Sequence, residues 1–218
     1  MGGGGSRPLH PFSAHIKLWS VDRDDVLDVL DRLDAAEIGW WVDGGWGVDA
    51  LLGGETRPHD DLDLVVRRHA IGRLPVLFPE FVPAEEEWWP ARYVLRDDTG
   101  RQIDFHPVEL DDRGDGLQEL GDGRYHRYPA ADLEGRGRIG GREVRCITPA
   151  LQLRHYEYRS GRPDDIDWED VHVHCTRFGL AVPRSYAVRP GFIEPKRTRA
   201  ALRPRALGRS DTTDGRGD

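Results

Sequence analysis

Hydrophobic and polar residues alternate with two different periods along the first part of the chain. Between residues 20 and 38, apolar residues recur at helical spacing after a cluster of acids, which predicts a helix with Ser20 as its cap. Short apolar or strictly alternating runs predict β-strands at residues 40–42, 61–66, 93–96 and 102–106. A turn sequence separates the last two runs and predicts a hairpin. Together these elements indicate an α/β domain.

The second part of the chain has a less regular pattern. Residues 111–141 are rich in Gly, Asp and Arg and show no clear period, which leaves open an ordered lid or a long loop. A strand and two helices are predicted beyond it, and periodicity ends near Arg184. We therefore divide the chain into a flexible leader at 1–12, a core at 13–140, a C-terminal strand and helices at 141–183, and a disordered tail at 184–218.

A glycine pair stands between the first predicted strand and a predicted short helix. Gly44 and Gly45 allow a tight turn that residues with a Cβ form only at a cost. Backbone N–H groups at the start of a helix favour anions, so the pair is a candidate phosphate site. The spacing matches neither a P-loop nor a dinucleotide-binding fingerprint.

Three acids are candidates for metal binding. Asp61 and Asp63 are two residues apart on one predicted strand, so their side chains project to the same side. Their mutual repulsion calls for a cation, and Mg²⁺ is bound by carboxylates together with phosphates. In the predicted hairpin, Ile103 and Phe105 would face the core, so Asp104 and His106 would lie on the opposite face of the same strand. If the hairpin lies beside the first strand, three acids converge as in-line displacement at phosphorus requires.

These motifs together resemble a known family. The segments Trp41-Val-Asp-Gly-Gly-Trp46, Thr56-Arg-Pro-His-Asp-Asp-Leu-Asp63 and Ile103-Asp-Phe-His-Pro107 are similar to those of antibiotic nucleotidyltransferases of the polymerase-beta-like superfamily. Small lincosamide nucleotidyltransferases resemble the chain most, and 2''-aminoglycoside adenylyltransferases come next. The resemblance covers roughly residues 20–180. It implies a mixed sheet with flanking helices and a small C-terminal helical part.

The resemblance also implies a reaction and its cofactors. A hydroxyl of a small antibiotic, the acceptor, would attack the α-phosphorus of ATP or another NTP and release pyrophosphate, with two Mg²⁺ ions bound. The metal ligands would be Asp61, Asp63 and Asp104, and Asp104 could also be the general base. The residues near the nucleotide phosphates would be Gly44, Gly45, Arg57 and His59.

The acceptor site is predicted from aromatic residues. Trp88, Trp89 and Tyr93 could form a wall on which sugar rings stack, although simple core packing explains them equally well. His106 shares the predicted face of Asp104 and competes with it as the base. The alternative for His106 is a hydrogen-bonded histidine at a strand end.

Composition narrows the choice of partner and compartment. The net charge of −8 argues against a nucleic-acid partner and would suit a cationic acceptor. The two cysteines are predicted to be buried free thiols, as in a reducing compartment. The chain has neither an apolar run of membrane-spanning length nor a signal peptide, so we expect a cytoplasmic protein. We expect it to be a monomer or a homodimer. Two rival functions remain: nucleotidylation of a protein or tRNA, and a nucleotide sensor without catalysis.

Overall fold

The computed structural model describes residues 20–84, 89–158 and 165–188 of the chain. Its α-helices are α1 (Arg23–Ala35), α2 (Gly44–Leu52), α3 (Leu74–Leu77), α4 (Pro149–Tyr158) and α5 (Asp165–Phe178). Its strands are β1 (Trp40–Val42), β2 (Asp61–Arg67), β3 (Val82–Pro83), β4 (Tyr93–Arg96), β5 (Gln102–Leu110), β6 (Gly116–Glu119), β7 (Tyr125–Tyr128), β8 (Gly135–Ile139) and β9 (Arg142–Cys146). Short 3₁₀-helices cover Arg68–Arg73, Ala130–Leu133 and Arg184–Tyr186.

The strands form a mixed sheet in the order β3-β4-β5-β2-β1-β9-β8. At its centre β2 runs parallel to β5 and antiparallel to β1, while β1 runs parallel to β9. The last residues of β5 pair with β6, and β6 pairs with β7, so a second hairpin extends from one end of the sheet. This mixed sheet with flanking helices confirms the predicted fold class.

The two faces of the central strands carry different residues because side chains alternate along a strand. Leu62 and Leu64 of β2, with Phe105 of β5, are buried in the main core against α1 and α2. The opposite face carries Asp63 and Asp104, which are register partners in the parallel ladder. The prediction that Asp104 lies opposite the core-facing residues of its hairpin is confirmed.

The helix starts follow their capping groups. α1 begins after Asp22, whose carboxylate accepts hydrogen bonds of 2.9 Å from the backbone N–H groups of Asp24 and Asp25. Asp25 in turn accepts from the Asp22 N–H at 3.1 Å, which completes a capping box. The prediction of Ser20 as the cap was wrong because a capping box satisfies two backbone donors at once. α2 begins at Gly44, with Asp43 as its cap.

The segment at 111–141 is ordered and contains three strands. β6 and β7 form a hairpin whose register runs from Gly116 opposite Tyr128 to Glu119 opposite Tyr125. The hairpin carries few aliphatic residues, so no two-residue hydrophobic period marks it in the sequence. The segment is therefore ordered, and its role as a lid stays a prediction.

The C-terminal helices pack on α2. A separate apolar cluster joins Val48 of α2 to Tyr156 of α4 and to Val171 and Cys175 of α5. Tyr186 belongs to the same cluster and is 2% exposed, so the prediction of a disordered tail was wrong for its first residues. These residues are ordered because the large aromatic ring of Tyr186 is buried in the cluster. The predicted leader and the tail beyond 188 lie outside the described residues.

The cysteines and the helices bear on two further expectations. Cys146 and Cys175 are both free and buried, as the sequence predicts. Burial raises the pKa of the Cys146 thiol to about 12, so it is protonated at neutral pH. Among the described residues, no helix combines the length and the apolar character that crossing a membrane needs.

Candidate active site

A cleft of about 310 Å³ opens where the N-terminus of α2 meets the polar face of the sheet. One wall is formed by β2 and β5, and the other by the β6–β7 hairpin and α4. The side chains and backbone that line it are Asp43, Gly44, Asp63, His106, Leu120, His126, Tyr128, Gln152, His155, Tyr156 and Tyr158.

The strand wall brings two of the three predicted acids together. Asp63 and Asp104 are register partners on adjacent parallel strands, and one ligand atom from each lies within 4.8 Å of the other and of a ring nitrogen of His106. Carboxylate oxygens are the ligands that Mg²⁺ and similar hard cations prefer, so the pair fits a divalent metal site. Asp61 lies two residues before Asp63 on the same strand face, but in the described part of the chain it is not a member of this close group.

The turn into α2 lies directly against the strand wall. Gly44 has a φ of +59°, and a Cβ at this position would overlap the Asp63 carboxylate, with Asp63 Cγ only 2.7 Å away. The backbone N–H of Asp43 donates to the carbonyl of Asp63 at 3.0 Å, which holds the two segments together. The first turn of α2 is thereby placed beside the Asp63 carboxylate, where its dipole favours an anion.

Asp104 is buried and contacts a guanidinium. Its side chain is 1% exposed; the Arg92 Nε donates to its Oδ1 at 2.9 Å, and the Arg92 Nη2 contacts its Oδ2. Arg92 precedes β4 and was not a sequence candidate for the site. Its position depends on the turn between residue 89 and β4, for which the sequence carries no periodic signal.

His106 is held between two partners. Its Nε2 lies 3.1 Å from Asp63 Oδ1, and its Nδ1 lies 3.2 Å from the amide nitrogen of Gln118. The same amide nitrogen donates to the Ala91 carbonyl at 2.6 Å, and the Gln118 oxygen accepts from the Tyr128 hydroxyl at 3.2 Å. Because Gln118 presents its NH₂ group to His106, the ring accepts at Nδ1 and donates from Nε2 to Asp63.

The second wall carries two histidines and a buried acid. His155 Nδ1 lies 3.1 Å from Asp43 Oδ2, and His155 Nε2 lies 2.9 Å from His126 Nε2. Burial alone would raise the pKa of Asp43, but the charge and hydrogen bond of His155, the charge of His106 and the Gly44 N–H lower it to about 2. Asp43 and His126 were not sequence candidates, because only the tertiary structure brings β7, α4 and the α2 cap together.

Two residues predicted to lie near the triphosphate are held in other pairs. Arg57 Nη2 forms an ion pair with Asp170 Oδ2 at 2.8 Å, and His59 Nε2 lies 2.6 Å from Asp49 Oδ2. Neither side chain lines the cleft. His59 packs behind Gly45 instead, where an added Cβ would overlap its ring. The two residues therefore support the glycine turn from behind.

The three aromatic residues predicted for the acceptor wall lie in different places. Tyr93 pairs with Phe105 and packs against the main core on the face opposite the acids, so it is not part of a cleft wall. Trp89 is 46% exposed and has the Arg68 guanidinium 5.3 Å from its ring centre. Trp88 lies outside the described residues.

Two characterised proteins are similar to this chain in sequence. A lincosamide resistance protein of Staphylococcus haemolyticus is 28% identical over 154 residues, which cover 70% of this chain and 95% of that protein. A 2''-aminoglycoside nucleotidyltransferase of Escherichia coli is 28% identical over 160 residues, covering 69% of this chain and 84% of that protein.

Solved structures and a family model extend the comparison. A lincomycin-bound lincosamide antibiotic adenylyltransferase has a TM-score of 0.62 at 25% identity, over 72% of this chain and 98% of that one. A 2''-aminoglycoside nucleotidyltransferase in complex with adenylyl-2''-tobramycin shares the fold, with a TM-score of 0.55 at 23% identity, over 71% of this chain and 88% of that one. The aminoglycoside-2''-adenylyltransferase family model matches residues 25–173. Because that match spans more than half of the chain, this protein belongs to the aminoglycoside-2''-adenylyltransferase family of antibiotic nucleotidyltransferases.

Proposed function

We propose that this protein transfers AMP from ATP to a hydroxyl of a small antibiotic and releases pyrophosphate. A lincosamide is the first candidate acceptor and an aminoglycoside the second. The observation that carries the proposal is the pairing of Asp63 with Asp104 across β2 and β5, directly beside the Gly44 turn. Carboxylates next to a helix N-terminus suit a metal-bound triphosphate, with the metal on the acids and the phosphates near the helix.

Asp63 and Asp104 would hold Mg²⁺, and Asp61 is the third candidate ligand. The bound metal would neutralise charge on the phosphates and on the leaving pyrophosphate. The chain itself supplies the positioning: His106 donates to Asp63 and orients its carboxylate, and Gln118 holds His106 in the matching tautomer. Hydrogen bonds of this kind orient ligating carboxylates in metal sites. In this proposal His106 is a positioning residue and not the base.

The acceptor would occupy the rest of the cleft, between the strand wall and α4. Tyr128, Tyr156 and Tyr158 supply aromatic surface there, next to the acids. Apolar surface with a few placed polar groups is typical of small-molecule sites. The lincosamide choice is supported by the relative that this chain covers almost completely. The aminoglycoside choice is supported by the family model and by the acidic groups of the cleft, which suit a polycation.

Mass spectrometry of acceptor panels tests the proposal. Purified protein would be incubated with Mg²⁺, each of the four NTPs, and lincosamides, aminoglycosides or bulk host protein, with pyrophosphate release measured in parallel. We expect a mass gain of one AMP on a single drug class, with ATP as the preferred donor. Labelling of host protein instead of a drug, or ATP binding without pyrophosphate release, would contradict the proposal. The matched controls are Asp63→Asn in the site and Asp112→Asn on the exposed surface.

A further inference from the structure

Two histidines from different elements face each other in the second wall of the cleft. His126 lies on β7 and His155 on α4, and their Nε2 atoms are 2.9 Å apart. Both side chains are partly exposed and line the cleft, so water and small ligands can reach the space beside the two nitrogens. The pair is therefore a candidate binding site in its own right.

The two rings are held in place by their neighbours. The buried ring of Tyr128 packs edge-on against both, with its centre 4.9 Å from that of His126 and 5.2 Å from that of His155. The Nδ1 of His155 lies 3.1 Å from Oδ2 of Asp43, which is 4% exposed. Because an ionised carboxylate only accepts, His155 donates its Nδ1 proton to Asp43. This hydrogen bond turns the Nε2 side of His155 toward His126 and the cleft.

This arrangement matches that of histidines that bind a metal ion. A metal-binding histidine typically donates its other ring N–H to a carboxylate, as His155 does to Asp43. An ion that binds two imidazoles at about 2.0–2.1 Å places their nitrogens about 2.9 Å apart in a square-planar arrangement and about 3.3 Å apart in a tetrahedral one. The observed separation of 2.9 Å matches the first geometry and needs only a small shift of the rings for the second.

The chemistry of the two ligands selects the class of metal. Imidazole nitrogen suits Zn²⁺, Cu²⁺ and Ni²⁺, whereas Mg²⁺ prefers oxygen ligands. We infer that His126 and His155 form a binding site for a transition-metal ion such as Zn²⁺, separate from the carboxylate pair of Asp63 and Asp104. Because the cleft is open beside the two nitrogens, water molecules complete the coordination of the ion.

A metal ion at this pair lies in the part of the cleft that the proposed function assigns to the acceptor. His126 and His155 line that part together with Tyr128, Tyr156 and Tyr158. The ion therefore takes space that the acceptor needs, so it inhibits transfer by competing with the acceptor and not with Mg²⁺ at the strand wall. This inhibition rests on the proposed function, whereas metal binding itself does not.

Nitrogen NMR of the histidine rings during a Zn²⁺ titration tests the site without any substrate. Full-length ¹⁵N-labelled protein would be titrated in saturating Mg²⁺, and the spectra of His126→Asn and His155→Asn would assign the two rings. We expect the Nε2 resonances of both rings to change together, with the Nδ1 proton of His155 retained. Rings that keep their resonances would show that a hydrogen bond alone joins them, and a change confined to His106 would assign the ion to the strand wall. Either result would overturn the inference.

Calorimetric titration with Zn²⁺ under the same conditions ranks the contributions of the three side chains. Asp43→Asn should weaken binding by about 10-fold, because it removes the partner that orients His155. Loss of a ligand, in His126→Asn or His155→Asn, should weaken it further, by at least about 100-fold. His69→Asn, at an exposed histidine that does not line the cleft, is the matched control and should bind as the wild type does. Equal affinity in all four variants would overturn the inference.

Inhibition kinetics separate this inference from the proposed function. Half-inhibition of AMP transfer should need more Zn²⁺ as the acceptor concentration rises, and at least about 10-fold more in His126→Asn, with each variant compared with its own uninhibited rate. Inhibition that excess Mg²⁺ relieves would overturn the competition with the acceptor. A wild type that transfers AMP to no acceptor would overturn the proposed function, and the NMR titration would still decide the metal site. Thermal unfolding of every variant would show that weaker binding is not loss of fold, with His155→Gln as a second substitution in α4.

Discussion

The two walls of the cleft are built in different ways. The strand wall places Asp63 next to Asp104 because two adjacent strands run parallel in register. The second wall brings together His126, His155 and Asp43, and the last two are 112 residues apart in sequence. A strand fixes the direction of its side chains locally, so the orientation of each acid follows from a short stretch of sequence, while their adjacency follows from the pairing of β2 with β5. The second depends on how a hairpin and a helix pack, which no local pattern records.

Loss of a strand-wall acid is the largest expected change. Asp63→Asn or Asp104→Asn should lower pyrophosphate release by at least about 10³-fold, because the substitution removes the charge that would bind the metal ion and, through it, the phosphates. The fold should be retained, since an amide of the same shape fills the same space. Steady-state assays with acceptor and Mg²⁺ measure the effect, and near-normal activity in both variants would disprove the metal assignment.

Asp61→Asn tests whether Asp61 is a metal ligand in the same way as Asp63, which lies on the same strand. The resemblance predicts Asp61 as a metal ligand, although it is not in the close group of Asp63, Asp104 and His106. We expect a loss as large as for Asp63→Asn, together with a raised Mg²⁺ requirement. Activity equal to that of the surface variant Asp112→Asn would limit the metal site to Asp63 and Asp104.

The Gly44 turn lies between the two walls, and a methyl group at this position should disrupt the close contact between the turn and Asp63. Gly44→Ala places a Cβ on the Asp63 carboxylate at a φ of +59°, so turnover should fall by about 10²-fold and stability by about 1–3 kcal/mol. Gly54→Ala is the matched control, since no atom lies within 4 Å of its added Cβ. Equal behaviour of the two variants in activity and thermal unfolding would contradict the role of the turn.

The Arg57–Asp170 pair lies outside the cleft and should affect stability more than catalysis. Arg57→Ala leaves Asp170 buried with only the Tyr156 hydroxyl among its described partners, which should cost about 2–3 kcal/mol of unfolding free energy. KM for ATP should change little. A large rise in KM for ATP without loss of stability would return Arg57 to the triphosphate site that the sequence suggested.

Low pH should lower the free energy of unfolding because Asp43, in the second wall, becomes protonated. The folded state lowers the pKa of this acid from 3.8 to about 2, so its ionised form stabilises the fold at pH values above 3.8 and that stabilisation is lost as the pH falls through about 2. The loss should be about 2 kcal/mol. Asp43→Asn should flatten the stability curve in this window, as measured by denaturant unfolding at each pH.

His126 should act in a different pH window. Its pKa is lowered in the fold from 6.5 to about 4, so the unfolded chain binds the proton more tightly, and stability falls as the pH drops from 6.5 toward 4. His126→Asn should remove this part of the acid sensitivity and leave the Asp43 part. Identical curves for wild type and His126→Asn between these values would show that the ring is not buried as described.

The smallest effect is expected for Trp89, whose side chain is exposed. Trp89→Ala should change stability by no more than about 1 kcal/mol, because the ring is exposed and its contact with the Arg68 guanidinium is at the surface. If Trp89 forms part of the acceptor site, KM for the acceptor should rise while KM for ATP stays constant. Val76→Ala, another exposed apolar residue, is the control.

Several elements of the fold could be predicted because their signals are local. Alternation along β2 and β5 located Asp63 and Asp104 on one strand face, and the turn sequence between β4 and β5 predicted their hairpin. The β6–β7 hairpin escaped prediction because it has few aliphatic residues and is held by pairing to the end of β5. The sequence did not indicate the partners of Arg57 and His59, since a charged residue near a motif can equally be buried in an ion pair behind it. Their role near the triphosphate stays a prediction.

The sequence by itself determined the family, the mixed sheet and the acids of the strand wall, because side-chain direction in a strand and the glycine turn are properties of a few consecutive residues. Only the tertiary structure decided which acids and histidines meet across the cleft. The pairing of His126 with His155 and the contact of His155 with Asp43 depend on elements that are distant in the chain. Such contacts arise when apolar faces are buried together, and the polar groups they carry are brought into range as a consequence.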